Sequence, residues 1–161
     1  MKRKTKKLTA EIIQKVYRNN VAEIKSIVHK DELEFKDNDG RTLLFHAIYA
    51  KNEELIKWIL DQGVDINLKD KIGWTPLHYA AQEYLIGISK ILIEKGADVN
   101  AQDMNGNTVL WRATFASMGK GEIIKVLLEK GAIPEIKNNY GISAIDLAEN
   151  IGNYDVKQFF N

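Results

Sequence analysis

The chain has 161 residues, 45% of them hydrophobic and 28% charged, with a formal net charge of +1. These values describe one ordinary soluble domain, long enough to bury a core. No cysteine is present, which excludes disulfides, thiolate metal sites and a cysteine nucleophile. Five of the 23 cations fall among residues 2–7, so the remainder holds 18 basic against 22 acidic side chains, a mildly acidic body poorly suited to tracking phosphates.

Residues 1–8 read as a basic disordered tail, because like charges repel and find no apolar partner there. The tail could touch nucleic acid or an anionic surface, but no aromatic is interleaved with its lysines and a solvated tail is the plainer reading. The following Leu8-Thr9-Ala10-Glu11 lacks the apolar run of a secretory signal. No stretch approaches the roughly 18 apolar residues of a membrane span, so a cytoplasmic protein is the expectation.

From Thr9 the pattern turns helical, with Ile12, Ile13, Val16 and Tyr17 on one face. Asn19-Asn20 interrupts it, and Val21, Ile24, Ile27 and Val28 begin a second short amphipathic helix. Beyond this pair the chain repeats itself. Gly40, Gly73, Gly106 and Gly141 each head a turn that feeds a helix, at spacings of 33, 33 and 35 residues. A fixed period in that range marks stacked repeats. The units run approximately 9–36, 37–69, 70–102, 103–137 and 138–161, within a single domain spanning 9–161. Each second helix stops at a glycine, Gly63, Gly96 or Gly131. The two extra residues of the fourth unit fit best at Ser117-Met118-Gly119-Lys120-Gly121, between its helices. The fifth unit predicts a first helix near Ser143–Asn150 and a last one carrying Tyr154, Val156, Phe159 and Phe160. The first and last units are degenerate, as end caps must be to meet water.

The turn, the Thr75-Pro76-Leu77-His78 helix start, the Leu/Ile/Val-rich second helix and Lys95-Gly96-Ala97-Asp98-Val99-Asn100 resemble the ankyrin repeat. The resemblance covers about residues 9–161. It implies an all-α ankyrin-repeat solenoid of stacked helix-turn-helix units with turn fingers, about five including degenerate caps. There are departures. Leu43, Val109 and Ala144 stand where the family has Pro, and Phe45, Trp111 and Asp146 where it has the structural His. The aromatics cannot bridge the turns through polar contacts, so packing is expected to hold the turns of the second and fourth units. Lys51 and Tyr84 replace the glycine between helices, which predicts less regular geometry between units.

The resemblance also implies a non-catalytic protein–protein interaction module, binding another folded protein through the concave surface formed by turn tips and first helices. Without a second domain to deliver, an inhibitor or adaptor fits best, for example a toxin-neutralising immunity protein. A general scaffold, or nucleic-acid association through the tail, is the alternative. The contacts it implies are Asp39, Arg41, Lys71, Ile72, Trp74, Met104, Asn105, Asn107, Tyr140 and Ile142 at the turns, with neighbours Asn38 and Asn139. On the first helices they are Tyr49, Gln82, Glu83 and Phe115. Tyr49, Trp74, Met104 and Phe115 would form a row along the groove, matching the preference of interfaces for aromatics and Met. Alternatively the aromatics pack between units.

No chemistry competes with this reading. His29, His46 and His78 fall in different units without metal-ligand spacing. His78 occupies the family's structural position, and His46 could approach Asp39 or Tyr79. No serine sits in a Gly-x-Ser-x-Gly elbow, and Met118-Gly119-Lys120-Gly121 lacks the rest of a phosphate loop. No catalytic residue, metal, cofactor or small-molecule substrate is therefore expected.

Overall fold

The computed structural model describes residues 8–150 and 155–160. Among them are nine α-helices: α1 (Ala10–Tyr17), α2 (Val21–Ile27), α3 (Leu43–Tyr49), α4 (Glu53–Asp61), α5 (Pro76–Gln82), α6 (Ile86–Glu94), α7 (Val109–Phe115), α8 (Glu122–Glu129) and α9 (Ala144–Asn150). Helices this short are marginal alone, so their ends are tied. The Thr9, Thr75 and Thr108 hydroxyls accept from the amides of Ile12, His78 and Trp111. Asn20 and Asn52 do the same for Glu23 and Leu55, satisfying donors that a helix start leaves free.

The odd-numbered helices pack side by side in one layer, and each of α3, α5 and α7 also packs on the even-numbered helix that follows it. Contact between successive even-numbered helices is sparser, with α6 on α8 the main pair. Leu55, Ile56 and Ile59 of α4, Leu92 of α6 and Ile124 and Leu127 of α8 are fully buried against Leu44, Leu77 and Leu110. Truncating any one of these to Ala is expected to cost about 2–5 kcal/mol.

Between helix pairs the chain forms fingers, each opened by one side chain. Asp37 Oδ1 accepts from the amides of Asp39 and Arg41, at 2.7 and 2.9 Å. Asp70, Asp103 and Asn138 repeat the device 33, 66 and 101 residues on. Fingers are then stitched to one another: the amides of Lys71, Met104 and Asn139 donate to the carbonyls of Asp39, Ile72 and Asn105 at 2.9–3.1 Å. Gly73 has φ +81, and a Cβ there would lie 2.6 Å from the Met104 amide nitrogen, so both backbone sign and inter-finger distance require glycine.

Four expectations need correction. Leu8 is not part of a tail; it is buried, and its amide donates to the Lys36 carbonyl at 3.3 Å, while residues 1–7 lie outside the described part. Lys51 and Tyr84 do not disturb the stacking. Together with Asn19 and Met118 they adopt the left-handed conformation a glycine would take, with φ of 47 to 57, so each inter-helix turn keeps its shape at some cost in strain. The last helix is only a 3-10 turn, Lys157–Phe160; Tyr154 lies outside the described residues. Val156 is buried, and the Phe159 ring occupies the space where a Cβ on Gly121 would stand. Finally, the turns of the second and fourth units are not held by packing alone, because His46 and Arg112 bridge to Asp37 and Asp103.

Candidate protein-binding face

The residue following the family's histidine position carries the polar bridge in three units. His46 Nε2 lies 3.0 Å from Asp37 Oδ2, the Tyr79 hydroxyl donates to Asp70 Oδ2 at 2.7 Å, and Arg112 donates to Asp103 Oδ2 from Nε and a terminal nitrogen at 3.1 and 2.5 Å. Each bridge spans nine residues, from a finger's first side chain to the same position of the following helix. His46 thus reaches Asp37 rather than Asp39 or Tyr79. His78 sits as expected: Nδ1 accepts from the Thr75 amide at 3.1 Å, and Nε2 lies 3.3 Å from the Asn107 carbonyl in the next finger.

Burial sets the charge states. It pushes the fully enclosed His78 down to about 4, and holds His46 below its ordinary value despite the opposing pull of Asp37. Burial also pushes the Asp103 carboxyl up, but Arg112 and the amides of Asn107 and Asn105 outweigh it and hold the group below the usual carboxylate range. Asp37 behaves likewise, through the amides of Arg41 and Asp39 and the His46 ring. At neutral pH His46 and Tyr79 are therefore neutral partners in their bridges, and Arg112 alone meets its carboxylate as a cation.

On this scaffold the aromatic side chains form a continuous row across four units. The Tyr17 hydroxyl lies 3.4 Å from His46 Nδ1, and His46 adjoins Tyr49. Tyr49 meets Tyr79 edge-on at 4.9 Å, and Tyr79 meets Trp74 at 4.6 Å. The Arg112 guanidinium lies 4.8 Å from the Trp74 centroid and 5.4 Å from that of Trp111, which stacks on Phe115 at 5.5 Å. Arg41 lies over Tyr49 and Tyr79, and pairs with Asp39 at 3.3 Å. Such contacts add roughly 0.5–1.5 kcal/mol each beyond simple burial, so the row is rigid before any partner arrives.

Of the residues expected at an interface, the structure brings Arg41, Tyr49, Trp74 and Phe115 into this row, and Asp39 beside it. Ile72, Met104, Tyr140 and Ile142 form a separate exposed set on the fingers, with Lys71 and Asn105 also exposed and Asn38 and Asn139 beside them. Met104 belongs to that set rather than to the row. Gln82 is half-buried at the end of α5, and Glu83 caps that helix from an exposed position. Asn107 is a correction. It is 5% exposed, its amide group bonds Asp103, and its side-chain oxygen accepts from Asn138 at 2.7 Å, so it joins two fingers and offers a partner nothing. Sequence reasoning missed Tyr17, Tyr79, Trp111 and Arg112. The signal was present: Tyr79 and Arg112 share a register with His46, 33 residues apart, but an alignment centred on the family histidine looks one position too early.

Among the described residues no three His, Asp or Glu side chains gather to hold a metal ion, and no helix is long and apolar enough to cross a membrane. A recess of about 560 Å³ beside Tyr17, Asn19 and Lys51 lies between the inter-helix turns of the first two units, and is polar and open. It does not touch the fingers.

No curated protein matches the sequence. A family model for ankyrin repeats in three copies matches residues 12–103, and a single-repeat ankyrin model matches residues 105–139. Ankyrin repeats are generic protein–protein interaction modules and non-catalytic scaffolds. With the repeating fingers, the paired short helices and these matches over most of its length, the chain belongs to the ankyrin-repeat family.

Proposed function

We propose that this protein is a binding protein that grips another folded protein against the face formed by its fingers and odd-numbered helices, and that the binding event is its function. It acts as an inhibitor or adaptor, in the manner of an immunity protein that neutralises a cognate toxin. The observation that carries this reading is the preordered row from Tyr17 to Phe115, ending in side chains that stay exposed. Tyr17 and Phe115, at 55% and 59% exposed, terminate a row whose middle is locked by Arg41 and Arg112. Rigid aromatics lose little entropy on binding, and together with arginine they are the side chains that dominate interface energetics.

The charge pattern supports a protein partner over a polyanion. The two cations of the aromatic row, Arg41 and Arg112, are engaged by Asp39 and Asp103, which leaves Lys71 as a single exposed cation on the fingers, whereas a phosphate-tracking surface presents many free cations. Affinity capture from the native cell with the tagged full chain tests the reading. One protein recovered at near-equal stoichiometry, and retained at high salt, is the expected result. Recovery of nucleic acid alone, lost as salt rises, would contradict it.

A further inference from the structure

The fingers are not equivalent. The finger of the second unit is polar, with Asn38, Asp39 and Arg41, and the last of these is paired within the finger. The next three carry Ile72, Met104, Tyr140 and Ile142, at 50%, 68%, 74% and 42% exposed. Backbone bonds from Met104 to Ile72 and from Asn139 to Asn105 place these three fingers in one continuous row. Single exposed apolar side chains are ordinary, but four on adjoining water-facing turns mark a surface meant to be covered.

Charge narrows what covers it. No acidic residue occurs between Asp103 and Glu122, nor between Lys137 and Ile145. Asp103 is enclosed by Arg112, and Asp146 is engaged by the Ser143 amide and hydroxyl at 2.9 and 2.7 Å. Lys71, next to Ile72 on its finger, is exposed and forms no ion pair among the described residues. Of the exposed acidic residues, Glu83 stands at the opposite end of α5 from the fingers, and Glu135 lies three residues before the last finger with Lys137 between them.

We propose that recognition is concentrated on the last three fingers, which take a segment of another protein presenting aliphatic or aromatic side chains beside a carboxylate. This deepens the binding-face reading above and rests on it. The apolar side chains cover Ile72, Met104 and Tyr140, and the carboxylate pairs with Lys71. A basic segment meets like charge there and is rejected, since electrostatic mismatch is how such surfaces exclude wrong partners.

The test uses a random peptide library displayed on phage and selected on the immobilised full chain. The expected winners combine Phe, Leu or Ile with Asp or Glu. A synthetic winner should lose about tenfold or more in affinity with Tyr140→Glu, Met104→Glu or Lys71→Glu, and keep it with Asp39→Lys and Ile133→Glu. The three substituted tips are exposed, so an unchanged melting curve verifies the fold in each. Basic winners, or winners weakened by Asp39→Lys alone, overturn the proposal while leaving the binding face in place. Winners sensitive only to Ile133→Glu, in the loop that follows α8, overturn both. A selection that enriches nothing counts against the proposal, and so does equal retention by anionic phosphatidylserine vesicles with no peptide preference.

Discussion

Arg112 binds Asp103 through two nitrogens while its guanidinium lies 4.8 Å from the Trp74 ring centroid. One side chain thus ties the finger of the fourth unit to its own helix and to the finger of the third unit. Removing it as Arg112→Met leaves a buried carboxylate with only its amide donors, which is expected to cost about 2–3 kcal/mol in urea unfolding. Arg112→Lys should recover only part of the loss, because an ammonium cannot reproduce the two-nitrogen contact or the flat contact with the ring. A variant Arg112→Met as stable as the parent would remove the bridge from the account.

Trp74 contributes to stability for the same reason. Its ring is held between Tyr79 and Arg112 rather than projecting freely, so Trp74→Ala should lower stability by about 1–2 kcal/mol as well as weaken binding. Thermal and urea unfolding of the variant measure the first effect directly.

His78 makes stability depend on pH. Its folded value near 4 lies below its ordinary 6.5, so between these the unfolded chain binds more protons. Stability should therefore fall as pH drops from about 6.5 to about 4, by at most about 3 kcal/mol. His46, also held low, acts in the same direction. Asp37 and Asp103, held below the ordinary 3.8, withdraw their contribution only under that pH. Urea midpoints across this range, with the His78 ring followed by NMR, check the sign and the residue.

Lys51 occupies a left-handed backbone position with φ of 54 and an exposed side chain. Lys51→Gly relieves about 1–2 kcal/mol of strain and gives back about 0.5–1 through the freer unfolded chain. A net gain of about 0.5 kcal/mol in urea unfolding is expected. Tyr84→Gly should show no such gain, because the Tyr84 hydroxyl donates to the Lys120 carbonyl and anchors the fourth unit's insertion.

Gly121→Ala places a methyl 2.4 Å from the Phe159 ring. The ring must move, and the 3-10 turn Lys157–Phe160 should loosen from α8, seen as faster hydrogen exchange at residues 156–160 with the earlier units unchanged. Units of a repeat stack contact only their neighbours, so the effect should stay local.

Much of this architecture was legible in the sequence because its signals are backbone requirements. Gly73 and Gly106 need their φ, Thr75 and Thr108 cap, and the 33-residue period counts them out. The inter-helix turns were harder: Lys51 and Tyr84 look like violations, yet in the fold they accept the glycine conformation. The site was half legible. Arg41, Tyr49, Trp74 and Phe115 announce themselves as aromatics and arginine at turn and helix positions. Tyr79 and Arg112 do not, since their contacts with Tyr49 and Trp74 cross from one unit to the next. Asn107 reads like its exposed neighbours, but Asn138 arrives from 31 residues away and buries it.

The fingers and odd-numbered helices are proposed to hold the partner, rather than the even-numbered helices and the loops that follow them. Affinity capture from the native cell with three chains tests it most directly: the parent, a Phe115→Glu/Tyr140→Glu variant and an Ile27→Glu/Ile133→Glu variant. All four side chains are exposed, so none of the substitutions enters the core. The protein recovered with the parent at equal stoichiometry should vanish from the first variant and persist in the second. Loss from the second with retention by the first would contradict the claim.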